Sequence, residues 1–168
     1  IGEDAFRNCT NLKTATVANQ AAYVGDSAFY GCNIASLSIA QTEVGRFGYA
    51  NNPNLTTLTL KEGVTTLEYR SFYRCENLEN ITFPKSLEKI DAASFDETKW
   101  MEKQPDGPVY ANSILINYKG DPENVAIADG TKYIETTAFD AKKNLTSVVI
   151  PDSVTTIRTA AFVNCSKL

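Results

Sequence analysis

The sequence predicts a repeat solenoid, with short strands on one face and short helical turns on the other. Three observations lead there. The chain opens on "IGEDAFRNCTNL" (Ile1–Leu12) and closes on the near-copy "IRTAAFVNCSKL" (Ile157–Leu168). One aromatic column runs through Phe6, Phe29, Tyr49, Phe72, Phe95, Phe139 and Phe162, at spacings of 23, 20, 23, 23, 44 and 23 residues. Apolar columns keep step with it: Ile1, Val24, Val44, Leu67, Ile90, Ile134 and Ile157 five residues before the aromatic, and Leu12, Leu55, Leu78, Leu145 and Leu168 six after. A fixed period of this size marks a stack of small units.

Each part of the unit has a physical reading. "LTTLTL" (Leu55–Leu60), "LENITF" (Leu78–Phe83) and "LTSVVI" (Leu145–Ile150) end in alternation, in the last case apolar at Val148 and Ile150 with polar or neutral residues between, the pattern of a strand with one buried face. Pro84 and Pro151 end two of these strands, because proline has no N–H to give a ladder. "VTTI" (Val154–Ile157) is a second short extended piece. "SAFYGC" and "AAFVNC" place Ala, Phe and Cys at i, i+1 and i+4 behind residues that can cap, which suits one or two helical turns, α or 3₁₀. No unit of 23 residues buries its own apolar columns, so neighbours must stack at the strand spacing of about 4.8 Å. The whole of residues 1–168 is expected to form one domain, cut from a longer array.

The 44-residue gap between Phe95 and Phe139 predicts a degenerate unit at about residues 96–133. "QPDGP" (Gln104–Pro108) is turn chemistry, and "VYANSILINYKGD" (Val109–Asp121) reads as a strand or hairpin arm closed by Lys119, Gly120 and Asp121. Val125 and Ile127 resume the strand columns. Trp100, the one tryptophan, and Tyr110 lie in this departure from the repeat. They serve either as an interaction site or, for Trp100, as a lid over core left open by the missing turn.

Composition narrows the chemistry. Sixteen basic and 20 acidic residues are mixed along the chain, without the basic run that would neutralise phosphates, so nucleic acid is not an expected partner. There is no histidine, hence no histidine-based triad, zinc site or general base. The four cysteines, Cys9, Cys32, Cys75 and Cys165, share one repeat column and form a line instead of a metal-binding cluster. Stacking places Cys9 and Cys32 within disulfide reach, whereas free thiols packed as small apolar residues account for all four. Asn11, Asn54, Asn77 and Asn144 are expected to bond the backbone where the chain enters a strand. Asp96, Glu97, Glu102 and Asp106 read as a solvated acidic loop, and no catalytic, cofactor-binding or metal-binding residue is assigned.

The outward strand column carries more information. It reads Thr16, Ser38, Thr59, Thr82, Ala126 and Val149, an uncharged ladder of small and hydroxyl side chains. Such a ladder is either a half-exposed strand surface and no more, or a binding face that works by shape and hydrogen bonds. The candidate binding residues are Thr16, Ser38, Thr59, Thr82 and Val149 on this face, with Trp100 and Tyr110.

The columns together spell C-x-x-L-x-x-I-x-I-P-x-x-V-x-x-I-x-x-x-A-F-x-x-C, best written in Leu55–Leu78 and Asn144–Leu168. This closely resembles the BspA-like, or treponemal-type, leucine-rich repeats of bacterial cell-surface proteins, over nearly the whole chain. The resemblance implies a right-handed α/β-type leucine-rich-repeat horseshoe. It also implies a non-enzymatic surface or secreted module that adheres to other proteins, among them extracellular-matrix and host-surface proteins. A structural spacer carrying another domain of the parent protein is the alternative. No stretch approaches the apolar length of a membrane span.

Overall fold

The computed structural model describes residues 1–17, 23–91 and 93–168. These form two compact units, Ile1–Lys103 and Gln104–Leu168. In the first, β1 (Ser36–Ile39), β3 (Thr57–Leu60) and β5 (Asn80–Thr82) make one parallel sheet, and β2 (Glu43–Val44), β4 (Thr66–Leu67) and β6 (Lys89–Ile90) make a second. Registers run column on column. Leu37 faces Leu58, which faces Ile81, and Val44 faces Leu67, which faces Ile90. Leu37, Ile39, Leu58 and Leu60 are buried, whereas Ser36, Ser38 and Thr57 between them are exposed, as the two-residue period of a strand requires.

The solenoid reading stands, with one correction on the far face. The segments around the column aromatics are tight turns, not helical ones, and α1 (Lys99–Glu102) is the one α-helix among the described residues. In the turn around Phe29, the N–H groups of Ser27, Phe29 and Gly31 donate to Arg46, Gly48 and Ala50 of the next turn at 2.8, 2.8 and 3.0 Å. The intervening N–H groups of Ala28 and Tyr30 donate three residues back within their own turn. Left-handed residues two before and two after the aromatic produce this alternation: Ser27 and Gly31, Phe47 and Asn51, Arg70 and Arg74, all with φ between 53° and 67°. A magnitude decides against helices here. An α-helix with its side chains is about 10–12 Å wide and spends its N–H groups internally. Units paired strand to strand rise by only about 4.8 Å. Flat turns fit that rise and extend the hydrogen-bond ladder to both faces.

Inside the first unit the rings of Phe6, Phe29, Tyr49, Phe72 and Phe95 stack face to face, with centroids 5.0, 4.9, 5.7 and 5.6 Å apart. The cysteine column beside them differs from expectation. All four thiols are free, and Cys9 is exposed. The other three donate to the carbonyl of the aromatic one unit back instead of packing as plain apolar groups: Cys32 to Phe6, Cys75 to Tyr49 and Cys165 to Phe139, at 3.2, 3.2 and 3.0 Å. Burial pushes the Cys75 thiol up to about 12, so it stays a protonated donor. Asn52 replaces cysteine in one unit and fills the role more fully. Its amide donates to Phe29 and Tyr49 carbonyls at 2.9 and 2.8 Å and accepts from the Ile34 N–H at 3.2 Å.

In the second unit, β7 (Gly107–Ala111) and β8 (Ile114–Lys119) form an antiparallel hairpin with its tip at Asn112 and Ser113. The stretch Val109–Asp121, read as a strand or hairpin arm, thus holds the second arm and most of the first, which begins earlier, at Gly107 within the segment read as a turn. β8 then pairs with β10 (Tyr133–Ile134), and β10 with β12 (Thr156–Ile157), while β9 (Asn124–Ala126) pairs with β11 (Ser147–Val149). Leu115 faces Ile134, and the Tyr118 ring stacks on Phe139 at 5.2 Å, with Phe162 following at 4.7 Å. Tyr118 is therefore the aromatic of the degenerate unit.

Two stability measurements follow from this packing. Phe72 is fully buried between two rings, so Phe72→Ala should lower stability by about 3–5 kcal/mol in denaturant melts. Phe162, half-buried with one stacked neighbour, should lose clearly less on the same change, and equal losses would contradict the stack. Asn52→Ala strands the Phe29 carbonyl and the Ile34 N–H, leaves the Tyr49 carbonyl to the Cys75 thiol alone, and should cost about 3 kcal/mol, whereas Asn52→Cys, the residue of the column, should cost less.

Candidate binding surfaces

The strand face of the first unit brings three of the predicted residues into one line. Ser38 faces Thr59 and Thr59 faces Thr82 across paired strands, with Ser36, Thr57 and Asn80 beside them in the same registers. Thr16 is exposed outside any strand, and with Thr14, Ser36, Ser38 and Lys61 it lines a groove of about 440 Å³. The face offers hydroxyl donors and acceptors with one ammonium at its edge. Hydrogen bonds between successive turns of the first unit flank it: Thr56 to the Ala35 carbonyl, Thr65 to the Thr42 carbonyl and Gln41 to the Val17 carbonyl. Val149 belongs to the second unit, where it faces Ala126 across β9 and β11 and is 64% exposed.

Trp100 closes the far end of the aromatic stack in the first unit. Its indole meets Phe83 and Phe95 edge-on at 5.6 and 5.4 Å, and its backbone N–H donates to the Leu78 carbonyl. Thr98 caps the short helix that carries it. Tyr110, in the second unit, sits 3.1 Å from the Thr131 hydroxyl and lines a pocket of about 380 Å³ with Asn112, Ser113, Asp129 and Gly130. Asn77 donates to the Pro53 carbonyl, as the asparagine column predicts, but Asn54 and Asn144 bond the side chains of Asn33 and Asp121.

The acidic loop is less uniform than its sequence. Glu97 accepts from the Tyr73 hydroxyl at 2.7 Å and from Arg74 Nε at 2.9 Å, and these two bonds hold its carboxyl below the ordinary value. Asp96 is half-buried, and desolvation raises its carboxyl despite the nearby Arg70.

These contacts belong to a surface that the repeat columns do not reveal. On the turn face of the first unit, the guanidinium of Arg46 lies 5.7 Å from the Tyr69 ring centre and that of Arg70 lies 5.0 Å from it. Arg70 also lies 4.5 Å from Tyr73, and Arg74 lies 5.3 Å from Tyr73. Phe47 packs edge-on against Tyr69 at 5.6 Å. The signal was present in "EYRSFYRC" (Glu68–Cys75), where Tyr-Arg pairs flank the buried Ser71 and Phe72.

Among the described residues no group of side chains could hold a metal ion, and no helix is long and apolar enough to cross a membrane. The family model described as the BspA type leucine rich repeat region matches residues 1–102 and 116–168 in six copies. No curated protein matches the chain. Among solved structures, the chain is similar to a leucine rich cell surface protein from Faecalibacterium prausnitzii A2-165 (24% identity, 84% of this chain and 34% of that one, TM-score 0.46). A leucine-rich repeat protein from Eubacterium ventriosum is 23% identical over 97% of this chain and 48% of its own, with a TM-score of 0.49. For a leucine rich repeat protein of T. pallidum the figures are 21%, 83%, 58% and 0.46. The chain thus spans between about a third and three-fifths of the length of these proteins.

Proposed function

The chain belongs to the BspA-type leucine-rich repeat family, and from that premise we propose that it is a non-catalytic module that binds other proteins through its strand face. The observation that carries this reading is the in-register line of Ser38, Thr59 and Thr82 over the groove with Lys61. A partner strand or loop laid along that line meets a repeating set of hydroxyls at fixed spacing, held rigid by the ladder behind them. Rigidity lowers the ordering cost of association. The family character implies work at a bacterial surface or in secreted form, as adhesion to matrix or host-surface proteins. The second reading, a spacer that presents another domain, draws on the absence of any aromatic anchor among Ser38, Thr59 and Thr82.

The test is direct binding of the chain to a panel of extracellular-matrix proteins and cell-surface glycans, beside the variant Thr59→Glu/Thr82→Glu. Two adjacent carboxylates on the face should weaken binding by at least about tenfold, near 1.4 kcal/mol. Binding unchanged in the variant would move the site off the strand face. No binding to any panel member would favour the spacer.

A further inference from the structure

We propose that the turn face of the first unit holds a second binding site, separate from the strand ladder, that takes a carboxylate-bearing protein segment on Arg46 and Arg70, which lie over Tyr69 and, for Arg70, over Tyr73 as well. The chain has five arginines. Three are paired with carboxylates: Arg7 with Asp4, Arg74 with Glu97 and Arg158 with Glu135. The other two, Arg46 and Arg70, have no carboxylate at ion-pair distance among the described residues, and both lie on the Tyr69 ring. A guanidinium held over an aromatic face still has N–H groups to offer a planar acceptor. Arg70 Nε is shielded from solvent and has no acceptor, so this guanidinium is held partly out of water, where an added ion pair gains strength.

The molecule itself shows how such a surface receives a carboxylate. Glu97 is bound by one tyrosine hydroxyl and one arginine Nε at once, from Tyr73 and Arg74. Tyr69 with Arg46 and Arg70 repeats that pairing of residue types beside it, with Asp96 near Arg70 but no carboxylate at ion-pair distance among the described residues. Charge decides what kind of partner fits. Asp26, whose Oδ1 accepts the Arg46 backbone N–H at 2.8 Å, lies on one side, and Asp96 and Glu97 lie on the other. The surface is therefore close to neutral in sum, which disfavours a dense polyanion such as a sulfated glycan or nucleic acid. A protein segment with an isolated carboxylate next to an apolar or aromatic side chain suits both the two arginines and the half-buried Phe47 and Tyr69. Arginine and tyrosine are also the side chains that dominate the energetics of protein interfaces.

The experiment uses the whole 168-residue chain against an immobilised library of short peptides with glutamate beside tyrosine or leucine, the same library with glutamine for glutamate, and heparin. Glutamate peptides should be retained by the chain and by Thr59→Glu/Thr82→Glu. They should be lost by at least about tenfold in Arg46→Gln/Arg70→Gln. Arg70→Lys, which keeps the charge without the planar fork, should also weaken retention. If the double variant fails to melt cooperatively, Arg46→Gln alone, at an exposed position, should weaken retention several-fold. Equal retention of the glutamine peptides, full retention by the arginine variants, retention of heparin only, or no retention of any peptide would each overturn the proposal. Loss in the strand-face variant with the arginine variants unaffected would do so as well, and would assign binding to the strand ladder.

Discussion

Everything in this structure depends on one spacing, the rise of roughly 5 Å from each repeat to the next. Parallel strands impose it through their hydrogen bonds. Ring stacking in the core then adopts it, at 4.9–5.7 Å between Phe29, Tyr49, Phe72 and Phe95. The turn face must adopt it too, or the repeats would splay apart on that side. Left-handed residues at two positions per turn achieve this by aiming alternate N–H groups at the next repeat. They do so at some backbone cost wherever the residue is not glycine or asparagine. Cys32, Asn52, Cys75 and Cys165 complete the arrangement by giving a donor to the carbonyl of the neighbouring aromatic.

The degenerate segment shows which parts of the repeat this spacing protects. In the second unit the hairpin adds an antiparallel arm, yet β8 still sets Leu115 against Ile134 and Tyr118 against Phe139. In the first unit, a short helix capped by Thr98 swings Trp100 onto Phe83 and Phe95 and so covers the last ring of the stack. In the second unit an apolar side chain and a ring thus keep the required rise although the chain between them departs from the repeat.

Much of this was legible in the sequence because burial writes itself into residue type. The apolar columns and the outward hydroxyls correspond to a side chain's inside or outside position, and the proline stops to a missing backbone N–H. The turn geometry was not legible. Ala, Phe and Cys at i, i+1 and i+4 satisfy a helical face and a stacked turn equally well, and only the narrow rise separates the two. Tyr118 was obscured by compression: Ile134 precedes Phe139 by five residues, but Leu115 precedes Tyr118 by three, so the columns fall out of step. The strand-face candidates Ser38, Thr59 and Thr82 were predicted by alternation alone and fall in one register. The arginine–tyrosine surface has no period at all. Arg46 meets Tyr69 because they occupy one column in successive turns, a relation that becomes visible only once the columns are known to be stacked turns.

The central claim is that one ladder runs up both faces, so that turn and strand open together. Hydrogen exchange of single amides tests it most directly. The N–H groups of Phe29, Tyr49 and Phe72 on the turn face should exchange as slowly as those of Leu58 and Leu67 in β3 and β4, all limited by the same cooperative opening. Turn amides that exchange orders of magnitude faster than the strand amides would show that the turns are loosely held loops, and would contradict the account.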